Sequence, residues 1–78
     1  MKLIIAKIDE TIFEGEFEYL SVPTKQTGHI QILPNHAPLI SVLKEGILKY
    51  KAKGGKEEKL EIKKGIVEVS KNEVLVIL

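Results

Sequence analysis

Isoleucine, leucine and valine recur at alternate positions through much of this chain, in short stretches separated by polar or glycine-bearing breaks. A period of two marks a strand that buries one face. Residues 2–8 are apolar on both sides except at their ends, which predicts a strand with two covered faces. Residues 11–14 form a second run, Gly15 interrupts it, and residues 16–22 resume with Phe17, Tyr19 and Ser21 on one face and Glu18, Leu20 and Val22 on the other. A lone glycine between two runs predicts a bulge or sharp bend. Pro23, lacking an N–H, is expected to end that strand. Residues 24–28 (Thr-Lys-Gln-Thr-Gly) form a polar loop closing on the glycine a turn favours.

In residues 29–33, Ile30 and Ile32 face one way and His29 and Gln31 the other. Pro34 and Pro38 forbid a regular helix through Asn35, His36 and Ala37. Residues 39–44 are branched and stop short of Gly46, which favours a strand over a helical turn. The remainder is a meander. Leu48, Tyr50 and Ala52 alternate with Lys49 and Lys51, and Lys53-Gly54-Gly55-Lys56 supplies a hairpin turn. Leu60 and Ile62 alternate with Glu61 and Lys63, the charged pair expected opposite Lys49 and Lys51. Val67 and Val69 point inward, and residues 70–73 turn the chain into a last strand. The pattern gives eight or nine strands and no helical stripe, so the fold class is all-β: an antiparallel β-sandwich or flattened barrel.

Composition narrows the possibilities. Seventy-eight residues allow one core and exclude a second domain. Twelve lysines, no arginine and eleven acids give a net charge of +1, so nucleic acid is not an expected partner. No cysteine is present, and no apolar run approaches the roughly 20 residues of a membrane helix. The opening residues do not carry a signal-peptide pattern.

Candidate chemistry is sparse. The two histidines, His29 and His36, have no acid between Glu18 and Glu45 to complete a metal site, so no metal is expected. Ser21, Ser41 and Ser70 lack a nucleophile-elbow context, and Gly54-Gly55-Lys56 lacks the strand-loop-helix setting of a phosphate loop. His36, held between prolines, reads as a structural pin whose ring caps nearby backbone; His29 reads as an outward residue at a loop edge. The lysines between 49 and 64 alternate with apolar residues and with Glu57, Glu58 and Glu61, as on a solvated face. Catalytic, cofactor and metal residues are therefore expected to be none. Ile4, Ile8, Ile47 and Ile66 fall opposite the expected core and would form an exposed apolar patch. That surplus points to a module that binds a protein partner.

Residues 28–40, Gly-His-Ile-Gln-Ile-Leu-Pro-Asn-His-Ala-Pro-Leu-Ile, resemble the Pro-x-His-Ala-Pro-Leu signature of the epsilon subunit of rotary ATP synthases, called delta in mitochondria. Flanking stretches resemble the same family in register: Phe13-Glu14-Gly15, residues 44–48, residues 65–69 and residues 72–76. The resemblance implies a β-sandwich of about ten short strands and a non-catalytic rotor subunit of the central stalk. It implies contact with the gamma subunit near His36, Ala37, Pro38, Ile40 and Ser41. It implies contact with the membrane ring of c subunits near Thr27, Gly28, His29 and Ile30. The implied location is peripheral, on the cytoplasmic face of a bacterial plasma membrane, with coupling of rotation to ATP synthesis. His29 and Gln31 stand where many relatives carry an acid and a second glycine. Relatives continue into a C-terminal helical hairpin, which is expected to be absent here. Two other readings make distinct demands: a small-molecule-binding β-barrel requires an enclosed cavity, and a hydrolase requires His36 beside a serine or acid.

Overall fold

The branched residues pair into eight strands in a computed structural model that describes every residue from Met1 to Leu78. They are β1 (Lys2–Lys7), β2 (Glu10–Thr24), β3 (Gly28–Ile32), β4 (Leu39–Leu43), β5 (Gly46–Ala52), β6 (Glu57–Ile62), β7 (Gly65–Val69) and β8 (Glu73–Ile77). The all-β expectation holds, with eight strands where about ten were implied. Relative to the nine runs readable in the sequence, the difference lies in β2, whose 15 residues run unbroken through Gly15 and join two of them. Its first half pairs with β1; its second half lies between β3 and β5. One strand thus serves both layers. The first layer runs β2–β1–β8–β7–β4 and the second β3–β2–β5–β6, joined where Thr24 meets Leu43.

Several local expectations change for physical reasons. The ladder is not purely antiparallel, because β1 runs parallel to β8, Leu3 opposite Val74 and Ile5 opposite Val76. Pro23 does not end its strand. It stays in register with His29, and its carbonyl accepts the Lys44 N–H at 3.0 Å. Phe17 is buried while Tyr19 and Ser21 face outward. The cause is a bulge: Phe17 opposes Ala52 and Tyr19 opposes Lys51, so Glu18 is an extra residue and the alternation slips by one. A second irregularity leaves Ile12 extra between Phe13 and Thr11. Lys49 faces Lys59, Lys51 faces Glu57, and Glu61 faces Ile47, so the Glu61 and Lys63 pairing expected from the pattern does not form.

The two layers bury Leu3, Ile5, Leu20, Val22, Ile32, Leu43, Leu48, Val67, Val74 and Val76 completely. Phe13 lies half-buried over the edge of this core, its ring centroid 4.9 Å from that of Tyr50. Truncating a fully buried leucine such as Leu48 to alanine costs about 2–5 kcal/mol in cores of this kind. Gly65 is obligatory for close packing, since a Cβ there would lie 2.7 Å from the Ile77 carbonyl oxygen.

Candidate functional site

The register sorts the connections into two opposite ends. Residues 8–9, 25–27, 44–45 and 63–64 lie at one end, because Ala6 pairs with Ile77, Ile77 with Ile66, and the adjacent Gly65 with Leu43, which meets Thr24. Met1 and residues 33–38, 53–56 and 70–72 lie at the other. Of the residues implied by the resemblance, Thr27 to Ile30 and His36 to Pro38 therefore fall at opposite ends of the sandwich, with Ile40 and Ser41 along β4 between them.

At one end, Thr24 builds the β2–β3 loop. It is 1% exposed, and its Oγ1 accepts the Thr27 N–H at 3.2 Å and donates to the Gly28 carbonyl at 2.6 Å. Gly28 adopts a φ of 77°, a left-handed conformation that glycine reaches without steric cost. The loop presents Thr27 and His29 to solvent, while Ile30 is half-buried against the core. His29 Nε2 donates to the Ile47 carbonyl at 3.0 Å, which pins the ring across the sheet. Ile8 crowns the neighbouring β1–β2 hairpin and is fully exposed.

At the other end, residues 33–36 form a tight turn in which the His36 N–H donates to the Leu33 carbonyl at 3.1 Å. Asn35 takes a φ of 71°, which asparagine tolerates better than most residues, and its N–H meets the Met1 sulfur at 3.1 Å. His36 Nδ1 lies 2.7 Å from the Ala37 carbonyl and so carries the ring proton. The ring caps backbone, as its place between prolines suggested. Ala37 and Pro38 are exposed; beyond them Ile40 points to the outer face of β4 and is 72% exposed. Ser41 points the opposite way, its Oγ 3.4 Å from Gln26 Oε1. The structure brings His36, Ala37, Pro38 and Ile40 together and sets Ser41 on the other side of the strand.

The outer faces of the two layers differ sharply in character. On the first layer, Val42, Ile66 and Ile77 are direct neighbours across β4, β7 and β8, all more than 40% exposed. Ile40, Glu68, Leu75 and Ile4 form the next row, so one carboxylate interrupts an otherwise apolar surface. Lys2 and Glu14, paired at 3.0 Å, border it. An apolar centre with a polar rim is the anatomy of a protein interface. On the second layer, Lys49, Lys51, Lys59, Glu57 and Glu61 line the outside. The bulge puts Glu18 and Tyr19 side by side there. Glu18 meets Lys51 Nζ at 2.9 Å, and this lysine, with the Gly54 N–H, holds its carboxyl below the usual range. Tyr19 donates to Glu57 at 2.6 Å, which raises the tyrosine's pKa.

Of the four isoleucines expected to form one patch, Ile66 and Ile4 belong to this apolar face. Ile47 lies on the charged layer and Ile8 at a hairpin tip. Val42, Leu75 and Ile77 were missed, because strand order, which decides what neighbours what, is not written in the alternation.

For acid–base or metal chemistry the arrangement offers little. The two histidines sit at opposite ends, and no three His, Asp or Glu side chains converge on a point. The surface hollows open to solvent, and the interior between the layers is filled by side chains.

The family model described as ATP synthase, Delta/Epsilon chain, beta-sandwich domain matches residues 1–78. Among solved structures, a chain of the Euglena gracilis mitochondrial ATP synthase (OSCP/F1/c-ring) superposes with a TM-score of 0.86 at 26% identity, over 96% of this chain and 48% of that one. A chain of the Tetrahymena thermophila mitochondrial ATP synthase central stalk/c-ring superposes with a TM-score of 0.82 over 99% of this chain and 61% of that one; at 18% identity it speaks for the fold alone. The sequence thus spans less than two thirds of the length of either.

Proposed function

The chain belongs to the delta/epsilon β-sandwich family of ATP synthase, and on that premise we propose that it is a non-catalytic part of the central stalk, joining the gamma subunit to the c-subunit ring. In this role it couples rotation of the ring to ATP synthesis and is peripheral to the membrane through the complex, at the cytoplasmic face of a bacterial plasma membrane. The observation that carries the proposal is the apolar outer face of Val42, Ile66 and Ile77, which a solitary domain has no reason to leave in water. Gamma docks on this face and on the adjoining loop of His36, Ala37 and Pro38, with Ile40 at the boundary; Ser41 contributes from the side of β4 near Gln26. The opposite end, with Thr27, Gly28, His29 and Ile30, meets the ring. Both flanking carbonyls are already engaged, at Gly28 by Thr24 and at Ile47 by His29, so the loop reaches the ring pre-ordered.

The test is binding of the cognate gamma subunit by calorimetry. Ile66 is half-exposed, so Ile66→Asp is compatible with folding, yet it places a charge at the centre of the face. It is expected to weaken binding by about 2–4 kcal/mol, roughly 30- to 1,000-fold, while Lys59→Ala on the charged layer changes it less than threefold. Equal binding by a folded Ile66→Asp chain refutes the assigned face.

A further inference from the structure

The outer edge of β4 is paired with β2 at its far end but left without a strand at Ile40, and we infer that gamma supplies an extended segment that pairs with it there through the main chain. This deepens the stalk reading above and rests on it.

The Val42 carbonyl accepts the Lys25 N–H at 3.0 Å, so the main-chain groups of Val42 point away from β7. Backbone direction repeats every second residue, and the N–H and C=O of Ile40 therefore point the same way. The pairing with β2 ends at Thr24 and Leu43, so no strand lies opposite Ile40 on that side, although the Gln26 side chain reaches the adjoining Ser41 at 3.4 Å. An unpaired N–H and C=O on an edge are a template for another strand, and natural edges are usually blunted by charge. The edge of β6 follows that rule, with Glu57, Glu58, Lys59 and Glu61. The outer edge of β2 carries Glu10, Glu14 and Glu16, and β3 shows polar His29 and Gln31. The stretch from Leu33 to Leu43 carries no Asp, Glu or Lys. Only β4 joins an open main chain to strongly exposed apolar side chains, Ile40 and Val42.

A second copy of this chain is a poorer occupant. Two β4 edges related by a two-fold axis extend one sheet and leave both apolar faces uncovered. A larger partner can offer one strand to the edge and lay its body across Val42, Ile66 and Ile77. Main-chain pairing fixes register, and the flanking side chains then add selectivity.

Two measurements on the full 78-residue chain test this. Ile40→Ala removes the side chain alone; Ile40→Pro also removes an N–H that the fold itself does not use, a substitution edge strands accommodate. With both variants shown to be folded by circular dichroism, Ile40→Pro is expected to bind gamma at least tenfold more weakly than Ile40→Ala. In amide exchange, the Ile40 N–H is expected to exchange freely in the isolated chain and to slow at least a hundredfold with gamma bound. If gamma binds but Pro and Ala behave alike, or the amide stays fast, edge pairing is overturned while docking on the face stands. If gamma does not bind the parent chain, the stalk reading falls and takes this inference with it. Concentration-dependent protection of Ile40 without gamma would assign the edge to a second copy instead and overturn the inference.

Discussion

Thr24 shows how much one buried hydroxyl can organise. It is nearly inaccessible, and it satisfies a donor and an acceptor of the loop proposed to meet the ring. Thr24→Val keeps the shape and removes both bonds, leaving the Thr27 N–H and the Gly28 carbonyl without partners. A loss of about 1–3 kcal/mol is expected in denaturant unfolding, the usual cost of stranding such groups. Tyr50 illustrates a different residue-scale effect. Burial raises the pKa of its hydroxyl, and the Glu58 carboxylate adds to the shift. The folded state therefore disfavours ionisation. This contribution is fully present below the unfolded tyrosine value of about 10 and is lost as pH rises from there through the higher folded value. Thermal unfolding followed from pH 9 to pH 11 should show a fall in Tm that Tyr50→Phe reduces. These effects follow from exposure and neighbours, which a sequence does not display; that position 24 is polar is legible, that it is buried is not.

At the scale of elements, legibility depends on whether alternation survives unbroken. In β3, β5, β6 and β7 it does, and the inward residues Ile32, Leu48, Tyr50, Ile62, Val67 and Val69 are those the pattern names. In β2 it does not. The extra residues Ile12 and Glu18 each slip the phase by one, so Phe17 does not share a face with Tyr19 and Ser21, and the irregularities flank Gly15, which itself stays in register with Leu3. The bulge makes an unusual prediction. Deleting Glu18 leaves Phe17 inward, Tyr19 outward and Leu20 inward, a regular ladder. It should cost little, since only the local twist and a solvent-exposed contact with Lys51 are lost. Deleting Ser21 from the regular part brings Leu20 and Val22 into succession and turns one of them out of the core. That should cost about 3 kcal/mol or more. Urea unfolding of the two deletion chains distinguishes them, and equal losses would count against the bulge assignment.

For the molecule as a whole, the family signature around Pro34, His36 and Pro38 names residues along the chain, and only strand pairing shows that residues 27–30 and 36–38 lie at opposite ends. The asymmetry of the two layers is equally a property of assembly. Val42, Ile66 and Ile77 are far apart in sequence, and they become one surface because β4, β7 and β8 are neighbours. An even spread of branched residues along a chain does not say which layer will be greasy outside and which charged.

The parallel pairing of β1 with β8 has a mechanical corollary. Lys2 lies beside Glu73 and Ala6 beside Ile77, so tension applied between Lys2 and Ile77 pulls the two strands lengthwise past each other. Their hydrogen bonds are then strained together, not unzipped one at a time, and rupture requires several to fail at once. A domain wired this way resists stretching along its long strands far better than its modest size would suggest, a property that suits the rotating stalk proposed for it.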